Sequence, residues 1–205
     1  MIGRQSLAAA LLALGLTACG TTAPTRYLTL AATPPAGPRP DGAGLVLRPP
    51  EVRWPAAFDR LEVARPTGAV EVAVEELARW SAAPGRLAAA ALTADLVARL
   101  PGAVIAPWSD PTPANAVAVT VQVETLSERP AGYGLLAVVS IVRGAAPSRR
   151  RIFQAEAEGA HDAQGEAQAM SRLMGALADR IAGDLASGPG APPASGPTAN
   201  PRPAP

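Results

Sequence analysis

Two places in this 205-residue chain carry side chains whose chemistry goes beyond packing: Cys19, the only cysteine, and His161, the only histidine, with Asp162 beside it. A histidine, a carboxylate and a distant hydroxyl such as Ser140 are the parts of a hydrolase triad. A loop histidine next to an aspartate at a helix N-cap position is explained without catalysis, and that is the reading adopted. The sequence has no Gly-rich phosphate loop, no HExxH and no carboxylate cluster at metal-ligand spacing. These patterns predict no enzyme, no bound metal and no cofactor. A single thiol allows no intrachain disulfide and no Cys-rich metal site, so Cys19 is free for a different chemistry.

That chemistry is read from its surroundings. Arg4 precedes an apolar run from Leu7 to Leu16, which small residues Thr17 and Ala18 connect to Cys19. The run falls well short of the roughly 20 apolar residues a spanning helix needs, and it has the layout of a cleaved export signal. Leu16-Thr17-Ala18-Cys19 resembles the lipobox of bacterial lipoproteins, whose cysteine is diacylated and then becomes residue one of the mature chain. Residues 1–18 are therefore expected to be a signal peptide and residues 19–25 a lipidated tether. One acyl chain holds only marginally and two or more hold stably, since each buried CH₂ contributes about 0.8 kcal/mol. An aspartate directly after such a cysteine commonly retains a Gram-negative lipoprotein in the inner membrane. Gly20 stands there instead, and the resemblance favours the outer membrane with the domain in the periplasm.

Residues 26–186 are expected to fold as one domain. The chain is 48% hydrophobic and 17% charged, enough apolar content for one core. All 18 basic residues are arginine, against 17 acidic ones; removing the signal takes Arg4 alone and leaves a balanced mature chain. That balance argues against nucleic-acid binding, which needs a basic surface. Residues 187–205, rich in Pro, Gly, Ala and Ser, read as a disordered tail.

Between these ends the periodicities predict the elements. Tyr27 to Leu30 reads as a first strand, and Leu45 to Val52 as a second, interrupted by Pro49-Pro50 and so placed at an edge. A short helical turn is expected through Phe58-Asp59-Arg60. Leu61 to Ala64 and Val70 to Val74 alternate around a Pro66 to Gly68 turn and predict a hairpin. Pro84 opens a helix to about Leu100 with Leu92, Leu96, Leu100 and neighbouring Val97 on its apolar side, and Val104-Ile105 is a brief strand.

Val117 to Glu124 places valine at every second position, which predicts a strand with one buried face. Gly134 to Arg143 is apolar on both faces and reads as its central partner, and Arg151 to Glu158 alternates again. Together they predict an antiparallel meander. From Asp162 as N-cap, a last helix to about Leu185 carries Met170, Leu173, Met174, Leu177, Ile181 and Leu185 in one stripe. The expected class is α+β, an antiparallel-rich sheet covered by two amphipathic helices in a single domain.

Tyr27-Leu28 after a lipobox, the segment Trp54-Pro55-Ala56-Ala57-Phe58-Asp59-Arg60, and Glu76 to Pro84 with Arg79-Trp80 at its centre resemble the PqiC/YmbA-type lipoproteins, auxiliary components of ABC-type transport systems. The resemblance covers most of residues 19–186 and rests most on Arg79-Trp80. It implies an outer-membrane lipoprotein that works in lipid transport with an MCE-domain protein and ABC or PqiA-like inner-membrane components, and it implies no catalytic residues. Homo-oligomerisation fits the same reading. The alternative from another class is a structural or regulatory lipoprotein, such as a peptidoglycan synthase activator or an outer-membrane assembly factor. Trp54, Trp80 and Trp108 are the candidate partner-binding side chains, because indole buries a large area and keeps one donor. Trp54 and Trp108 sit beside prolines in loops, where exposure is easier and an interface role and a packing role stand level; Trp80, directly before a helix, reads first as core packing and second as a partner anchor. Arg149-Arg150-Arg151 is a positive run that reads first as a solvated turn and second as a contact for lipid headgroups or an acidic partner.

Overall fold

The computed structural model describes residues 23–67, 70–107, 109–111 and 113–187. The clearest strand signal in the sequence, the alternating valines, lies in the longest ladder. Strand β7 (Val117–Arg129) buries Val117, Val119, Val121 and Val123 and turns the residues between them outward. It pairs antiparallel with β8 (Gly132–Arg143), and the register shifts at a bulge between Val123 and Thr125. On its other side β8 pairs antiparallel with β9 (Arg149–Glu158) without interruption, which makes β8 central as its two apolar faces require.

The rest of the sheet is parallel. Strands β2 (Val46–Leu47) and β3 (Glu51–Arg53) both lie along the free side of β7, and β6 (Val104–Ile105) pairs with β2. The interrupted strand predicted around Pro49-Pro50 is thus two short strands. One of them, β2, is interior to the sheet and not at its edge. The prolines fall in the break between the two strands, where no ladder N–H is needed. The antiparallel-rich sheet is in detail a mixed six-stranded one.

A second, three-stranded sheet stands apart. In it β5 (Val72–Trp80) pairs antiparallel with β4 (Glu62–Pro66) and parallel with β1 (Arg26–Leu28). The predicted hairpin is present, and β5 runs on through Arg79-Trp80. That motif closes a strand.

Helix α1 (Pro84–Arg99) begins with proline at its first position, where a missing N–H costs nothing. Helix α2 (Ala163–Ala186) begins at Asp162, whose side chain accepts from the Gly165 amide at 2.7 Å. All six apolar residues predicted for the α2 stripe are buried against the six-stranded sheet and α1, as are Leu92, Leu96 and Leu100 of the first helix. Val97 is half exposed, so the apolar face of α1 is narrower than expected. Alanines Ala88 and Ala91 of α1 are buried in the same core. A smaller cluster of Val63, Ala78, Trp80, Ala163 and Ala167 joins the three-stranded sheet to the start of α2.

Candidate functional site

Cys19 and Trp108 lie outside the described residues. The other two candidate tryptophans are inside the protein: Trp54 is 9% exposed in the main core, and Trp80 is 5% exposed in the smaller cluster. Of the two roles open to Trp54, exposed anchor and packing residue, the structure shows the second. Its loop folds back through Phe58, whose amide donates to the Pro55 carbonyl at 2.9 Å, and Asp59, whose carboxylate accepts from the Gly85 amide at 3.2 Å at the start of α1. This pins the loop over the helix N-terminus and shuts the indole in.

The segment that follows the expected tether is fixed with unusual thoroughness. Tyr27 and Leu28 sit opposite Arg79 and Trp80, and the Ser81 amide donates to the Leu28 carbonyl at 2.8 Å. The Ala31 amide then donates to Ser171 Oγ of α2 at 3.1 Å, and the Thr33 amide to Asp95 Oδ1 of α1 at 2.7 Å. Arg99 completes the clamp. Its guanidinium, 2% exposed, donates to the Thr33 carbonyl at 3.0 Å, the Pro34 carbonyl at 3.2 Å, Asp95 at 3.0 Å and both oxygens of Asp179 at 2.7 and 3.2 Å. The planar fork of arginine serves this many acceptors at once, which an ammonium could not do in one plane. Burial pushes the Asp95 carboxyl up from its ordinary value, opposed by Thr33 and Arg99. Sequence reasoning passed over this network. Its one local signal was the Asp95/Arg99 pair at i, i+4 in an otherwise alanine- and leucine-rich helix.

A second polar cluster bridges the two sheets. Arg65 of β4 holds Glu75 of β5 at 2.8 Å and reaches Glu128 of β7 at 3.7 Å. Glu128 also binds His161, and that bond raises the histidine's pKa. Beneath them lies Glu166, 2% exposed, whose Oε2 has no hydrogen-bond partner. Burial pushes its pKa up to about 8, and buried Tyr133 beside it is pushed up to about 12. Ser140 is engaged elsewhere, 2.6 Å from Ser148 Oγ, while Asp162 caps α2. The three parts of the considered triad each have a different partner.

Near the other end of α2, Arg143 donates to the Leu185 carbonyl at 3.2 Å and Arg151 pairs with Asp184 at 3.2 Å. With Arg149, Val139 and Ile141 these residues line an open cleft of about 280 Å³. The arginine run opens β9 and does not form a solvated turn; its third member staples the helix C-terminus, where a cation is favoured. Among the described residues no group of His, Cys, Asp and Glu could hold a metal ion, and no helix is long and apolar enough to cross a membrane.

Comparisons agree with this fold. A solved structure titled an uncharacterized protein is similar with a TM-score of 0.59 at 18% identity, covering 80% of this chain and 97% of its own. A Xanthomonas campestris protein of the DUF330 family is similar with a TM-score of 0.53 at 14% identity, covering 80% and 94%. At such identities the likeness is one of fold. No curated protein matches the sequence significantly. Residues 27–182, from the first strand to the last turns of α2, match the family model described as the ABC-type transport auxiliary lipoprotein component, and the chain belongs to that family.

Proposed function

We propose that this protein is a non-catalytic accessory of an MCE/ABC-type intermembrane lipid transport system, anchored by diacylated Cys19 in the outer membrane with its domain in the periplasm. The observation that carries the reading is the family match over residues 27–182, and the lipobox-like Leu16-Thr17-Ala18-Cys19 just upstream supports it. The mechanism is positional. Six tether residues, Gly20 to Thr25, extend at most about 20 Å at 3.3–3.6 Å each, so the domain is held close to the membrane surface. The Arg99 clamp fixes Thr33 and Pro34, a few residues beyond β1, which supports transmission of that restraint to both helices.

The proposed partners are an MCE-domain protein and ABC or PqiA-like inner-membrane components. Trp108 is the tryptophan retained as a docking candidate. For Trp54 and Trp80 the role in docking is indirect, through the surface that their burial shapes.

The anchor is tested first. Cys19→Ser removes the acyl acceptor, and the expected outcome is an unprocessed precursor that takes up no fatty-acid probe in metabolic labelling. A variant labelled as strongly as the wild type contradicts the anchor.

A further inference from the structure

Strand β9 ends the six-stranded sheet, and its outer edge has no neighbour strand among the described residues. Every other end strand is short: β6 has two residues, β1 and β3 three each, and β4 five with a closing proline. Native proteins blunt exposed edges by shortness, proline, bulges or charged side chains. Strand β9 uses only the last of these. It has ten residues, lacks proline, and keeps one register with β8 from Arg149 opposite Ile141 to Glu158 opposite Gly132.

Its charges are divided by sign. Arg149, Arg150 and Arg151 occupy the first third; Glu156 and Glu158 occupy the last. Two such strands side by side in the parallel sense would set arginine against arginine. In the antiparallel sense they set arginine against glutamate, twice.

Symmetry narrows the register. A two-fold axis perpendicular to the sheet keeps the helix-covered faces of both copies on one side, so odd residues must meet odd and even must meet even. With the axis at Phe153, Arg150 faces Glu156 of the second copy and Ile152 faces Gln154. The two Ile152 side chains become diagonal neighbours, close enough to touch. Ile152 is 75% exposed in the single chain and sits opposite Val138 on the uncovered face, so this contact extends an apolar row already begun. The ladder would run from residue 149 to 157. It stops before Glu158, whose carbonyl already accepts from Arg172. Two existing ion pairs lie nearby. Arg151 meets Asp184 on the covered face, and Glu156 meets Arg129 in an exposed pair at 3.2 Å that offers little competition.

We propose that β9 is a self-association edge, through which two copies of this chain pair antiparallel about Phe153 into one continuous sheet, with Arg150 and Glu156 selecting partner and direction. Strand addition of this kind draws affinity from main-chain hydrogen bonds and specificity from side chains. The inference stands on the strand alone and does not depend on the transport reading.

Sedimentation velocity of the full-length protein in detergent, over a concentration series and at two salt levels, tests it. The wild type should dimerise with concentration, more weakly at high salt. Arg150→Glu and Glu156→Arg should each weaken dimerisation at least about tenfold, because each sets like charges opposite one another at two places. Mixing the two variants should restore association: the glutamate introduced at position 150 of one copy then meets the arginine introduced at position 156 of the other, while the native pair forms at the second site. The double variant R150E/E156R should also recover. A wild type that stays monomeric overturns the proposal, as does a dimer that single charge reversals leave intact or a mixture that fails to associate.

Discussion

Glu166 stands in the first turn of α2, where a negative charge is favoured by the helix N-terminus, yet it is covered by the three-stranded sheet and has an unpartnered oxygen. Burial raises its pKa from 4.5 to about 8. The folded chain therefore keeps a proton that the unfolded chain releases above pH 4.5. Stability from this group is fully present below pH 4.5, declines as pH rises toward 8, and is level above that; the loss is on the order of a few kcal/mol. His161 contributes in the same direction, because its pKa is also raised by its bond to Glu128. Glu166→Gln fixes the uncharged form. We expect the variant to be more stable than wild type at pH 8 by about 1–3 kcal/mol and near wild type at pH 5. Urea denaturation across that range checks it, and identical pH slopes for the two proteins count against it. None of this was legible in the sequence, where Glu166 is an ordinary first-turn acid. Its burial depends on β4 and β5, whose placement over α2 is a matter of tertiary packing. The same holds for Asp95 and Arg99, whose partners lie in the segment at Thr33 and Pro34 and on the second helix.

The elements themselves were largely legible. Alternating valines predict β7 and which face it buries; apolar residues on both faces of β8 predict its central place; the stripe from Met170 to Leu185 predicts the buried side of α2. Each of these signals is local and periodic. Strand partners over long separations leave no such trace, which is why the parallel pairing of β1 with β5 and of β2 and β3 with β7 came only from the structure. Trp54 illustrates the limit at the scale of one loop, since proline neighbours left exposure and packing level while a turn at Asp59 encloses the indole. Its burial makes a definite prediction. Trp54→Ala should destabilise the domain by about 3–5 kcal/mol, the usual cost of emptying a large aromatic site in a core. Guanidinium titration reads this directly, and a variant with unchanged stability would contradict the packing described for the start of α1.

For the whole molecule, the family match and the described domain share their limits, from the first strand to the last turns of α2. Residues 187–205 have almost no large apolar side chain to bury, so a chain stopped after Ala186 should melt like the full-length protein. A drop of more than about 5 °C, of order 1 kcal/mol for a domain this size, would show that the tail packs on the fold. The proposal that the protein acts by tethered association, without turnover, is tested most directly by its company in the envelope. Full-length protein, captured from detergent-solubilised envelopes after mild crosslinking and identified by mass spectrometry, should bring down an MCE-domain protein or its ABC or PqiA-like partners, and Cys19→Ser should lose them. Recovery of a peptidoglycan synthase or an outer-membrane assembly factor, with no MCE-domain protein above background, would contradict the account.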